Sequence, residues 1–348
     1  MPPLLFLALG LATTSLAQTS PSSSEFARIV FEIPRAYNFS QHSAPVESTL
    51  WSVTDIYALS AETGSLSAQP RRVIEGQSPP ISPDGSRIVY CSRNSNLIDE
   101  LRIANIDGSN PRTLVHLRGG ACFPTWSPDG RTIAFTGSTS SGPGQDPQIY
   151  FIHPDGSELT AIASGDGPAL WSPDGKRLLF LLAMPRAYRS GNRYSVYIAN
   201  ADGSHPQCLP HFIVRFPQLA WLPDGSGFAY VGRDERQHQV IKSVHLDDQL
   251  TPSPSTTFVD IRALAGIHDL KSYKDVDISH PRFSPDGTEL IAEVRQSYNP
   301  YNFDPESYLV LIHLNTGNAT LLSAGQNASI QWRPRAQAQL IPSPSPHL

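Results

Sequence analysis

The chain has 348 residues, of which 39% are hydrophobic and 16% charged, with a formal charge of −5. These proportions supply a core and exclude a disordered chain, and the acidic balance argues against a nucleic-acid binder, which needs a basic stripe. The cysteine count of three leaves at least one thiol unpaired in a monomer.

In chain order, the first element is an apolar run of nine, Leu4 to Ala12, followed by Ser15-Leu16-Ala17. An apolar run before a small-x-small triplet reads as an export signal over residues 1–17. A buried N-terminal strand is the plainer alternative. Nine residues cannot cross a bilayer, and no later stretch is apolar enough, so no integral membrane segment is expected. No Cys follows the cleavage point, which argues against a lipid anchor there. The mature chain is expected in the periplasm or secreted. Residues 18–25 read as a linker.

Three strands follow: Arg28–Glu32, then Asp55–Leu59 with a turn at Thr63-Gly64, then Arg72–Ile74. After them a longer unit begins to repeat. It reads ISPDGSRIVYCS at 81–92, WSPDGRTIAFTG at 126–137, WSPDGKRLLFLL at 171–182, WLPDGSGFAYVG at 221–232 and FSPDGTELIAEV at 283–294. The aspartates Asp84, Asp129, Asp174, Asp224 and Asp286 are spaced by 45, 45, 50 and 62 residues. In each unit an aromatic or apolar residue ends a short strand. Pro presets φ for a turn, Asp binds the local backbone, and Gly takes the positive-φ position. An alternating strand such as Thr132–Phe135 comes next, then a third strand such as Gln148–Ile152. A second Gly turn (Asp107-Gly108, Asp155-Gly156, Asp202-Gly203, Thr316-Gly317) leads to a fourth strand such as Leu159–Ile162.

Four antiparallel strands per 40–50 residues describe one propeller blade. A sixth, decayed copy is Gln331-Trp332-Arg333-Pro334, with no strands after it. The three N-terminal strands supply what it lacks. The sequence therefore predicts an all-β, six-bladed β-propeller over 26–335, its ring closed by N-terminal strands completing the last blade and leaving no open edge. Residues 336–348 form a Pro/Ser-rich tail.

The W-S-P-D-G-x-x-I-A-F pattern with Asp-Gly-Ser turns resembles the TolB-like family of six-bladed propellers. It departs from Trp-Asp repeat propellers, because the Gly-His and Trp-Asp dipeptides are absent. It departs from sialidase Asp-boxes as well, because Asp and Gly are adjacent. The protein that gives the family its name carries a further N-terminal domain, and with only Gln18 to Ser24 ahead of the first strand none is expected here. Members of the family that are peptidases carry an α/β-hydrolase domain after the propeller, and none is expected before Leu348.

Strand order assigns the faces. The Pro-Asp-Gly turns lie on the bottom, and the loops joining second and third strands lie on top. The top loops vary, which marks them for grafted function. Blade six offers Arg35, Tyr37, Phe39, His42 and Trp51. Blade three offers Arg186, Tyr188, Arg189, Arg193 and Tyr194, and blade five offers Tyr298, Tyr301 and Phe303. Pro-Arg-Ala-Tyr occurs at 34–37 and at 185–188, on blades opposite each other. Arg and Tyr paired across a channel mouth suit an anionic or sugar-like ligand, or a peptide. The plainer alternative is that these side chains pack their loops onto their own blades. The segments entering each first strand add Cys122, Asp166, Arg215, Asp277, His280 and Asn327, which suit a small ligand or, more simply, a water network.

Cys91 and Cys122 fall near the top of adjacent blades, where either a disulfide or two buried small residues is expected. No Gly-x-Ser-x-Gly elbow, His-Glu-x-x-His pair or Asp-x-Asp-x-Asp loop occurs. No catalytic residue, cofactor or metal is therefore expected. Three Asn-x-Ser/Thr sites stand at Asn38, Asn318 and Asn327. The expected function is binding of a protein, peptide or glycan on the top face by a monomer. The rival is a propeller hydrolase or lyase acting at the channel mouth, with His280 and Asp277 as its acid–base groups.

Overall fold

In the computed structural model, the described residues are 25–34, 54–62, 70–93, 99–117, 122–138, 147–184, 194–214, 218–264, 276–296, 307–324 and 326–332. The repeated turn has one construction. In the third repeat the Gly175 N–H donates to the Ser172 carbonyl at 2.9 Å. Ser172 Oγ donates to Asp174 Oδ1 at 2.6 Å and accepts from the Arg177 N–H at 2.9 Å. Gly175 sits at φ +70°, where a Cβ is disfavoured. The same bonds surround Asp84, Asp129 and Asp286. In the fourth repeat Leu222 replaces the Ser, and Ser226 binds Asp224 instead. Hydrogen bonds from Ser127 and Ser172 hold the Asp129 and Asp174 carboxyls below the usual carboxylate range.

Each turn opens an antiparallel sheet. Blade two contains Thr125–Trp126, Ile133–Gly137, Gln148–Ile152 and Thr160–Ser164. Blade three contains Leu170–Trp171, Arg177–Ala183, Tyr194–Asn200 and Gln207–Val214. Blade four contains Leu219–Trp221, Gly227–Arg233, Gln239–His245 and Thr256–Val259. Blade five contains Val276–Phe283, Glu289–Gln296, Ser307–His313 and Asn318–Ala324. Blade six takes Gln326–Trp332 from the C-terminal side and Glu25–Pro34, Thr54–Glu62 and Arg71–Glu75 from the N-terminal side. Its closing register pairs Ala27 with Trp332 and Ile29 with Ile330.

Blade one departs from the four-strand expectation. Its sheet has three strands, Arg87–Arg93, Asp99–Asn105 and Arg112–Leu117. The first strand is reduced to bridges at Gln77↔Cys91 and Ile81↔Ile88. Pro79 and Pro80 lie between those bridges and have no N–H to extend the ladder.

The core lies between blades. Period-two alternation sends successive side chains of a second strand to opposite neighbours. Ile29 and Phe31 pack with Leu309 and Leu311 of blade five, while Val30 packs with Ile88 and Tyr90 of blade one. Clusters at the other four interfaces are built the same way. Each blade thus buries both faces only within a ring.

Candidate functional site at the channel mouth

The first strands surround the axis, and each touches the next. Trp126 Nε1 of blade two donates to the Pro80 carbonyl of blade one at 3.3 Å. Trp221 Nε1 donates to the Leu170 carbonyl at 3.0 Å, and the Ile81 N–H donates to Ser329 Oγ at 3.1 Å across the closure. On the bottom, each Pro-Asp-Gly turn lies against the one before it. A Cβ built on Gly130 falls 3.6 Å from Pro83, and one on Gly287 falls 3.6 Å from Pro223.

The top entrance is built from a second repeated feature. At the start of the first strand, or within it in blade five, an X-Pro pair interrupts the ladder, with X in left-handed backbone. These residues are Ser78 (φ 50°), Phe123 (φ 36°), Gly167 (φ 93°) and His280 (φ 49°). Left-handed backbone is rare for a residue other than Gly, and a following Pro restricts it further.

In blades six, one and two the residue after the aromatic of the second strand secures this entrance, with a different chemistry in each. Glu32 accepts from the Ser78 N–H at 2.5 Å. Cys91 forms a disulfide with Cys122, their Cα atoms 6.1 Å apart. Thr136 Oγ1 donates to the Gly167 carbonyl at 2.6 Å. All three bonds run from one blade to the next. In blade five Glu293, 7% exposed at its side chain, stays within its own blade and pairs with His280 Nδ1 at 3.1 Å.

Phe123 is 40% exposed at this rim. Blades two and five are opposite in a ring of six, so Phe123 and His280 stand across the mouth from each other. At the outer edge of the same face, an open groove of about 700 Å³ runs beside blade four. It is lined by Asp234, Arg236, His238, Lys242, Asp260 and Arg262, among others. His238 pairs with Asp234 at 3.1 Å, and Arg262 lies 3.8 Å from Asp260. The balance of signs suits a polar chain carrying both charges rather than an apolar ligand.

Of the residues picked from sequence, His280 and Asp166 lie at the mouth. Asp166 Oδ2 accepts from the Ala183 N–H at 2.8 Å, which occupies that oxygen with backbone. Asp277 is opposite Arg295 in the strand register, three residues before His280. Arg35, Tyr37, Arg186, Tyr188, Arg215, Tyr298 and Tyr301 lie outside the described residues. Sequence reading missed Phe123, Glu293 and the blade-four groove. The signal for the first was the recurring X-Pro pair (Ser78-Pro79, Phe123-Pro124, Gly167-Pro168, Phe216-Pro217, His280-Pro281). Among the described residues no group of three His, Cys, Asp or Glu is placed to hold a metal ion, and no helix is long and apolar enough to cross a membrane.

No family model matches the chain. The chain is 28% identical over 229 residues to the uncharacterized peptidase YuxL of Bacillus subtilis, covering 63% of this chain and 29% of that protein. It is 31% identical over 160 residues to the uncharacterized protein Atu1656 of Agrobacterium fabrum, covering 43% and 52%. A TolB homolog of Chlorobium luteolum is 31% identical over 135 residues, covering 37% and 29%. The matches thus span about half or less of these relatives. Among solved structures, TolB from Acinetobacter baumannii superposes with a TM-score of 0.56 at 17% identity, over 89% of this chain and 66% of that one. The putative TolB from Agrobacterium tumefaciens gives 0.52 at 17%, over 90% and 100%. The TolB-like resemblance read from the repeats holds for the fold.

Proposed function

We propose that this chain is an extracytoplasmic, non-enzymatic propeller that recognises a protein, peptide or glycan on its top face. The observation that carries the reading is Phe123. An aromatic ring is held at the channel rim by left-handed backbone before a proline, with Cys122 beside it bonded to the neighbouring blade. Such backbone costs on the order of 1–3 kcal/mol, and an exposed ring regains little of it from packing. A rigid aromatic at the centre of a face is the residue type that anchors a partner. The charged groove beside blade four supplies a polar rim, and Arg35, Tyr37, Arg186, Tyr188, Tyr298 and Tyr301 are assigned to the same face. Placement outside the cytoplasm is supported by the leader-like residues 1–17 and by a disulfide, which persists in oxidising compartments.

The test immobilises residues 18–348 and captures proteins and glycans from an envelope extract. Phe123→Asn removes the ring but keeps a residue that accepts left-handed backbone. The variant is expected to lose at least tenfold of whatever the parent chain captures, with Tm unchanged. Undiminished capture overturns the reading. Arg35→Ala with Arg186→Ala is expected to act in the same direction.

One observation favours a second reading. His280 paired with the buried Glu293 at the mouth is the arrangement that orients a general base. The peptidase name of the Bacillus relative points the same way. Turnover of a hydrolase or lyase substrate that disappears in His280→Gln would establish it, and absence of turnover together with an elemental analysis free of metal would remove it.

A further inference from the structure

The charges that line the blade-four groove are not equally committed. Asp234 begins the hairpin tip, and both of its oxygens are occupied. Oδ1 accepts the His238 N–H at 2.8 Å, and Oδ2 pairs with His238 Nδ1 at 3.1 Å. Asp260 caps the short turn Ile261–Ala263, and its Oδ1 accepts the Arg262 N–H at 3.0 Å. These two carboxylates hold the walls in shape. The cations Lys242 and Arg262 have no such backbone task.

Lys242 stands in the third strand of the blade, half-buried, and no carboxylate among the described residues pairs with it. Its stem crosses the neighbouring strand at Gly232. A Cβ there would lie 3.0 Å from Lys242 Cδ and 3.4 Å from Cε, so Gly232 leaves the room that the stem uses. Arg262 is 31% exposed at its side chain. Its Nη1 is buried without a hydrogen-bond partner, 3.8 Å from an Asp260 oxygen that already serves the backbone. Burial of that nitrogen seats the guanidinium, and the side chain lines the groove. Donors held in place in this way bind a carboxylate at a reduced entropic cost.

The volume of about 700 Å³ exceeds what a small ion fills and falls in the range of ligands with many atoms. A dianionic phosphate group would also meet Asp234, Glu235 and Asp260, whereas a singly charged carboxylate is repelled less. Glu235 and Arg236, exposed at the hairpin tip, present one charge of each sign to the flanks of an occupant. We infer that the groove docks a peptide segment of a partner protein carrying both signs of charge, with an acidic side chain on Lys242 and Arg262. The inference rests on the reading of the top face as a recognition surface and names the chemistry that one part of it takes.

The experiment titrates the full mature chain with a capped peptide of alternating Asp and Lys, with its Asn/Lys counterpart and with inorganic phosphate. Ionic strength is low and constant, and binding heat is read. The parent chain is expected to bind the Asp/Lys peptide saturably and at least tenfold more tightly than the other two probes. Lys242→Met keeps a stem over Gly232 and removes the charge. It is expected to raise the dissociation constant at least tenfold, as is Arg262→Gln. Arg131→Gln, at an exposed bottom turn, leaves it unchanged. Should Arg262→Gln fail to fold, Lys242→Met and Arg262→Lys carry the test. The lysine keeps the charge, loses the planar fork and is expected to weaken binding severalfold. No saturable binding of the Asp/Lys peptide, phosphate bound as tightly as that peptide, or equal affinities in the parent chain and the groove variants overturns the inference. Peptide binding with undiminished capture by Phe123→Asn sinks the rim reading alone. Lost capture in that variant with no peptide binding to the parent chain sinks this inference alone.

Discussion

The two ends of the channel are built on opposite plans. At the bottom one residue pattern recurs, and each Pro-Asp-Gly turn rests on its neighbour through a Pro–Gly contact. At the top one backbone shape recurs, but a carboxylate–amide bond, a disulfide and a hydroxyl–carbonyl bond secure it in successive blades. Identical side chains doing an identical job mark scaffold. A shared backbone bearing Ser78, Phe123, Gly167 and His280 marks a rim whose surface is free to vary while its shape stays fixed.

The comparison can be broken or sharpened by substitution. The largest effect is expected where both ends depend on closure. Phe31 is fully buried in blade six and stacks on Tyr57. Phe31→Ala should cost about 3–5 kcal/mol in denaturant unfolding, and a cost below about 1 kcal/mol would show that blade six is not needed to hold the ring. Next comes the one covalent fastening of the rim. Cys91→Ser with Cys122→Ser should cost about 2–4 kcal/mol, and reductant should lower the Tm of the parent chain but not of the variant. A bottom turn should yield less, because each is one of several. Ser127→Ala removes the Asp129 contact and the Thr132 N–H acceptor and should cost about 1 kcal/mol.

The smallest effect is on pH dependence. The Asp129 and Asp174 carboxyls titrate lower in the folded chain than in the unfolded one. Their contribution is therefore complete above the unfolded value near pH ~4 and is lost as pH falls through the folded value. Asp129→Asn with Asp174→Asn should flatten the decline of Tm below about pH 4. An unaltered acid limb would show that these turns are not ionically held.

The architecture was legible because it rests on local chemistry. Pro-Asp-Gly dictates its turn wherever it occurs, and alternation in strands such as Thr132–Phe135 assigns both buried faces. Closure was legible from the unpaired Trp332 segment and the surplus N-terminal strands. Blade one's reduced first strand was signalled by Pro79-Pro80, a cue hidden by the regularity of its neighbours. The rim was harder to read. Cys91 and Cys122 were placed on adjacent blades, but a separation of 31 residues does not fix their geometry. Phe123 looks like an ordinary strand residue until left-handed backbone exposes it. Much of the site expected from sequence, Arg35, Tyr37, Arg186, Tyr188, Tyr298 and Tyr301, lies outside the described residues, and no local rule dictates the conformation of segments between strands.

The division between scaffold and rim is tested most directly by measuring capture and Tm together for Phe123→Asn and Asp129→Asn. The rim variant is expected to lose captured partner and keep the parent Tm, and the turn variant to keep the partner at a lowered Tm. Parallel losses in both variants, or a partner lost only from the turn variant, would contradict the account.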